Sequence, residues 1–180
     1  MHCSFNFPNN PHRFVVLQTK LLTMELKITA YSFGERPQPT IPVPEFLVAA
    51  GEDGIRAMVS RHYDLLRESS IKDIFPTTDE AFDLAKKHSA DFVIQICGGP
   101  DYFNQNRGRP MLSNRHQPFK ITPEARIVWL ECYRQAILEL DIAEELIRSF
   151  WNYVNVFSNW MVNTPSKPTG FTAAFQLPNR

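Results

Sequence analysis

Apolar positions recur at helical spacing through most of the chain. In GEDGIRAMVSRHYDLLRESS (51–70), Ile55, Met58, Val59, Tyr63 and Leu66 fall on one face, and His62 shares it. In TTDEAFDLAKKHSADFVIQIC (77–97) the stripe is Phe82, Ala85, Ser89, Phe92, Val93 and Ile96, with Thr77 or Thr78 placed to cap the start. In TPEARIVWLECYRQAILEL (122–140), Thr122 caps and Pro123 takes the first helical position, where its missing N–H costs nothing. Trp129, Cys132, Tyr133, Ala136, Ile137 and Leu140 form the stripe of that helix. A last helix over 141–163 carries Ile142, Leu146, Phe150, Tyr153, Phe157 and Trp160 on one side. No segment after residue 45 reads as a strand, so the predicted core, of roughly 120 residues, is all-α.

The ends follow other patterns. LKITAY (26–31) alternates apolar and polar, as a short strand or an extended arm does. ERPQPTIPVPE (35–45) carries four prolines and is expected to be extended, as a linker. TPSKPTGFTAAFQLPNR (164–180) reads as a loose tail. The expected division is an extension and arm over 1–45, one domain over 46–165, and a tail over 166–180. Near the start, FVVLQTKLL contains Lys20 and no small-residue cleavage site follows, which makes it a poor signal peptide. Met24 opens a second plausible start, leaving the first 23 residues as an upstream extension outside the fold.

Charge and composition narrow the function classes. Lys plus Arg and Asp plus Glu balance at 19 each, without the basic footprint of a nucleic-acid binder. No apolar run approaches the roughly 20 residues that a membrane-spanning helix needs. Cys3, Cys97 and Cys132 match no metal-binding spacing and read as reduced thiols of a cytoplasmic protein.

Two features point to chemistry. The second helix is large at both ends of its stripe and small in the middle, at Ala85 and Ser89. Interiors tolerate few voids, so either a bulky side chain such as Trp129 or Tyr63 fills that space, or a flat cofactor does. The second feature is His116, in the irregular stretch SNRHQPFKIT just before a capped helix, preceded by GGPDYFNQNRGRP (98–110). A histidine so placed can hold a metal by one ring nitrogen while the other donates to a carbonyl and fixes the tautomer. Arg115 beside it suits a carboxylate or propionate. There is no HExxH, no CxxC and no carboxylate cluster at ligand spacing, so haem iron suits this single histidine better than a bare ion. The glycines and prolines of 98–110 are expected to replace a regular helix with an ordered loop that delivers His116.

The residues then carry a resemblance. GGP (98–100), QNRG (105–108), RHQPFKI (115–121) and Trp129, with VSRHYDLL (59–66), IFP (74–76) and WMVNTP (160–165), resemble the group II truncated haemoglobins over about residues 46–165. The resemblance implies a short two-over-two globin fold around haem b, with the Pro-rich arm preceding it. It implies that His116 is the proximal iron ligand and that Tyr63 and Trp129 face the distal side, where O2, CO or NO binds. Phe75 would stack near the haem edge, and Phe92, Val93, Leu112, Phe119 and Ile121 would form apolar walls. Ala85 would leave the distal entry open. Ser89 departs from the apolar residue commoner there and is either a third distal hydrogen-bonding group or a small filler. His88 is either a propionate partner or a solvated histidine. Covalent haem attachment is not expected, because the chain has no CxxCH. Strong distal donors suit NO or peroxide chemistry, with an unnamed electron donor, more than transport. The chain would act as a monomer or homodimer. A function of another class, a haem-free helical interaction module with a globin shape, predicts no stoichiometric haem.

Overall fold

The computed structural model describes residues 24–167, and among them every regular element is helical. The helices are α1 (Glu45–Glu68), α2 (Asp79–Ile96), α3 (Tyr102–Arg107), α4 (Leu112–His116), α5 (Pro123–Leu138) and α6 (Glu144–Phe157), with 3-10 turns at Lys72–Ile74 and Ser158–Met161. The expected helices are thus present. The extension over residues 1–23 lies outside the described residues, as does most of the C-terminal tail.

Two long pairs make the body. α1 packs on α2, α5 packs on α6, and α1 also crosses both α5 and α6, which is the two-over-two arrangement. The stripe residues Ile55, Met58, Val59, Val93, Tyr133, Ile137 and Phe150 meet in a single core, joined by Ile94 and Leu130 from outside the expected stripes. Thr78 and Thr122 cap α2 and α5 by accepting the N–H groups of Ala81 and Ala125; such a cap contributes about 1 kcal/mol. α1 breaks at Gly51, where φ is 67°, a backbone region open chiefly to glycine.

The arm over residues 24–44 has no regular secondary structure apart from turns at 33–34 and 44. Its alternation is nevertheless physical: Met24 and Leu26 are buried and Ile28 half-buried, while Glu25, Lys27 and Thr29 face out. The surface that receives it is α6. Trp151 Nε1 donates to the Lys27 carbonyl at 3.0 Å, Asn155 Oδ1 accepts the Thr29 N–H at 3.1 Å, and Arg148 donates to the Glu25 carbonyl at 3.1 Å. Farther along, Asn159 and Trp160 donate to the carbonyls of Glu35 and Pro37, each at 2.7 Å. The proline segment then turns back, and the Val43 N–H donates to Ser149 Oγ at 3.0 Å. This cover buries Trp151 and Asn155, which lie outside the single stripe expected for the last helix.

Between α2 and α5 the chain is not the plain loop expected. It contains α3 and the single turn α4. Asp91, buried in α2, accepts from Arg56 of α1 at 2.9 Å and from Asn106 of α3 at 3.3 Å, tying three helices with one carboxylate. Gly99 is needed for close approach: a Cβ there would lie 2.6 Å from Ile94 Cγ2 and 2.9 Å from Leu47 Cδ2.

Candidate functional site

A cavity of about 380 Å³ lies between the helix pairs. α1 contributes Tyr63, and the turn that follows contributes Phe75. α2 contributes Ala85, His88, Ser89, Phe92 and Val93. Leu112, Arg115 and His116 come from α4, Phe119 and Ile121 from the link to α5, and Trp129 from α5 itself. Every residue singled out in the sequence as bearing chemistry therefore borders one space. Ala85 and Ser89, the small middle of α2, line the cavity, and Tyr63 of α1 lies beside Ser89.

His116 is built by its own turn. Its Nδ1 lies 2.7 Å from the carbonyl of Leu112, so Nδ1–H donates there and the lone pair is left on Nε2. The C-terminal segment secures the same turn: the Asn163 side-chain amide donates to the carbonyls of His116 at 3.1 Å and Phe119 at 2.8 Å, and Asn163 Oδ1 accepts the Ile121 N–H at 3.1 Å. Sequence reasoning missed Asn163, although it stands inside the WMVNTP stretch.

The mouth of the cavity is basic. Arg107 donates to His88 Nδ1 at 2.6 Å, so His88 is an acceptor and neutral; burial and the arginine charge lower its pKa. His88 is thus neither simply solvated nor free. Arg115 spends its Nε and one terminal nitrogen on the carbonyls of Pro110, Arg107 and Arg109, at 2.7, 2.7 and 3.3 Å. It holds the path of the chain from α3 into α4, and its other terminal nitrogen remains at the rim.

Burial raises the pKa of the Tyr63 phenol, with the nearby Ser89 hydroxyl opposing the shift, so the phenol stays protonated at neutral pH. Its ring packs edge-on against Phe75 at 5.9 Å and Phe82 at 5.6 Å. Trp129 is braced from behind by His62, whose Nε2 donates to the Trp129 carbonyl at 3.2 Å while the rings meet edge-on at 4.9 Å. His62 is buried, and the loss of hydration lowers its pKa to about 3. One turn beyond Trp129, Tyr133 also lines the cavity, with its hydroxyl buried and without a partner; leaving such a group unpaired costs about 1–3 kcal/mol.

Arg126 is the other residue missed. It is buried at the cavity wall with no carboxylate on it. Neutral oxygens satisfy it instead: Ser158 Oγ at 2.9 Å, the Thr29 carbonyl at 3.0 Å, and the carbonyl and Oδ1 of Asn155. It joins α5, α6 and the arm. The signal was present, because 126, 129 and 133 share one face of α5.

These groups fit haem. One imidazole presents a free Nε2, the walls are mostly apolar, and the rim carries cations for the propionate carboxylates. No group of three His, Cys, Asp or Glu side chains able to hold a bare ion occurs among the described residues. No helix among them is long and apolar enough to cross a membrane.

Comparison with known proteins agrees. The model of the bacterial-like globin family matches residues 48–163. The group 2 truncated hemoglobin YjbI of Bacillus subtilis (strain 168) is 30% identical over 116 residues, covering 64% of this chain and 86% of that protein. The phosphate-bound crystal structure of Hell's gate globin IV superposes with a TM-score of 0.72 at 34% identity, over 77% of this chain and 87% of that one. The group II truncated haemoglobin of Bacillus anthracis gives a TM-score of 0.64 at 27% identity, over 75% and 98%. The chain belongs to the bacterial-like globin family, among the group II truncated haemoglobins, and is a haem-binding globin.

Proposed function

We propose that this globin holds haem b without a covalent link, through His116 Nε2, and reversibly binds O2, CO and NO. The observation that carries the reading is the His116–Leu112 hydrogen bond, which fixes the ligating tautomer inside a cavity also bordered by Tyr63 and Trp129. The haem iron supplies the coordination position at which a diatomic gas is held. The chain supplies the rest. Phe92, Val93, Leu112, Phe119 and Ile121 exclude water from the ring, and Phe75 packs at its edge. Arg107, His88 and Arg115 supply cationic and polar groups for the propionates.

Trp129 offers an indole N–H and Tyr63 a phenol O–H to a polarised guest. Each such bond, at about 1 kcal/mol, slows release several-fold. Ser89 sets a second hydroxyl beside Tyr63 at the cavity wall, and Ala85 leaves the entry side of α2 uncrowded. Slow release suits scavenging of NO or peroxide more than delivery of O2. A structural neighbour, the truncated oxygen-avid haemoglobin of Bacillus subtilis, superposes with a TM-score of 0.59 at 30% identity over 66% of this chain and 98% of that one, which supports the same reading here.

The test is the ultraviolet–visible spectrum of purified protein, oxidised, reduced and with CO, beside His116→Ala. The expected result is an intense Soret band that shifts on reduction and again with CO, and is lost or altered in the variant. Absence of a Soret band after haem is added would overturn the reading and leave a haem-free helical interaction module.

A further inference from the structure

α4 carries His116, yet core packing does not hold it. It is a single turn of five residues, none of them fully buried, and Met111 before it stands at φ 38° and supplies no side-chain cap. A lone helical turn is unfavourable on its own, because one hydrogen bond is formed for several fixed dihedrals. Side chains bonded to the backbone of the turn therefore set its position. Arg115 holds the entry, through the carbonyls of Arg107, Arg109 and Pro110. Ser113 Oγ donates to the Trp160 carbonyl at 3.3 Å. At the exit, where His116 itself stands, the side chain that reaches the backbone is that of Asn163.

Both ends of the Asn163 amide are used. Its Nδ2 donates to the carbonyls of His116 at 3.1 Å and Phe119 at 2.8 Å, and its Oδ1 accepts the Ile121 N–H at 3.1 Å and the Thr164 hydroxyl at 3.0 Å. Two acceptors at one end and two donors at the other decide which end is nitrogen. The backbone makes its own contact: the N–H groups of Asn163 and Thr164 both donate to the Ile121 carbonyl at 3.0 Å. Those main-chain bonds do not depend on the side chain at 163, so they keep the segment docked when it is changed. What the side chain adds is the pair of bonds to carbonyls on either side of Gln117 and Pro118. His116 is then held twice, by its ring through Leu112 and by its carbonyl through Asn163.

We propose that Asn163 is a positioning residue for the proximal histidine: through the carbonyls of His116 and Phe119 it fixes the backbone that presents the imidazole. The inference rests on the haem reading above and adds to it a residue outside the cavity lining. Groups behind a metal ligand set its orientation and so tune the metal.

The test compares haem-loaded wild type with Asn163→Asp and Asn163→Ala. Aspartate has the same shape and keeps an acceptor for the Ile121 N–H, but it has no donor and turns a carboxylate oxygen toward two carbonyls. The readouts are the iron–histidine stretching band of the reduced, ligand-free protein, by resonance Raman, and the rate of haem transfer to apomyoglobin. A role in filling space alone predicts that aspartate behaves as wild type and alanine does not. Positioning predicts that both variants shift or broaden the band and lose haem roughly two- to tenfold faster, the worth of one neutral hydrogen bond, with aspartate at least as far from wild type as alanine. Asn163→Ala, which brings no charge, decides on the same two readouts if aspartate unfolds the chain. A wild-type band and a wild-type rate of haem loss, with the Soret band intact, would overturn this inference alone. A wild-type protein with no Soret band would overturn the haem reading and this inference with it.

Discussion

Acidification should destabilise this globin through a residue that touches no ligand. His62 is 1% exposed, its Nδ1 has no partner, and burial lowers its pKa from 6.5 to about 3. In the unfolded chain the same imidazole takes up a proton near pH 6.5. Between pH 6.5 and 3 the unfolded state therefore carries one more proton than the folded state, and stability rises with pH. The contribution is complete above about pH 6.5 and is lost as pH falls toward 3, at about 1.4 kcal/mol per unit. Between pH 7 and 5 the loss is about 2 kcal/mol. His62→Phe keeps an aromatic ring between Tyr63, Trp129 and Tyr133 but has no proton to gain. Urea unfolding of both proteins at equal haem loading, at pH 7, 6 and 5, isolates the effect, since the carboxylates, His88 and His116 are common to both. The wild type should lose about 2 kcal/mol more than His62→Phe over that range. Parallel curves, within about 0.5 kcal/mol, would refute the reasoning.

Two further outcomes follow from packing. Arg126→Met removes the hydrogen-bond partner of the Thr29 carbonyl and two bonds to Asn155. It should cost about 2–4 kcal/mol, read as a drop of roughly 5–15 °C in thermal midpoint, with faster proteolysis within residues 24–44; an unchanged midpoint would show that the clamp contributes nothing. Gly99→Ala places a methyl 2.6 Å from Ile94 Cγ2 and should cost about 1–3 kcal/mol in urea unfolding with the Soret position kept; full stability would mean that Ile94 and Leu47 yield freely.

Helical spacing made α1, α2, α5 and α6 legible, because each buries a face wide enough to imprint period 3.6 on the sequence. Thr78 and Thr122 marked their starts for an equally local reason. The residues grouped by motif share one cavity because His116 is delivered by a turn of its own chain. What stayed hidden depends on partners distant in sequence. Trp151 and Asn155 are buried only because the arm lies on them, and the alternation of Met24, Leu26 and Ile28 reports one buried face without saying whether a strand or a helix receives it. Arg126 shares a face of α5 with Trp129 and Tyr133, but the groups that satisfy it, on Thr29 and Asn155, lie far from it in sequence.

The arm also sets an order of events during synthesis. Over residues 25–29 its acceptor and donor pairs with α6 span 123 to 128 residues. At roughly 5–20 residues per second, the ribosome makes residues 25–37 some 6 to 25 s before the helix face that receives them. Until then Met24 and Leu26 have no surface to enter, and the nascent chain presents a sticky leading segment. Closing so long a loop also belongs among the slower contacts of a helical protein. The arm, made before all the helices, is thus among the last described segments to find its place, and a pause or truncation before α6 would leave it exposed to chaperones and proteases.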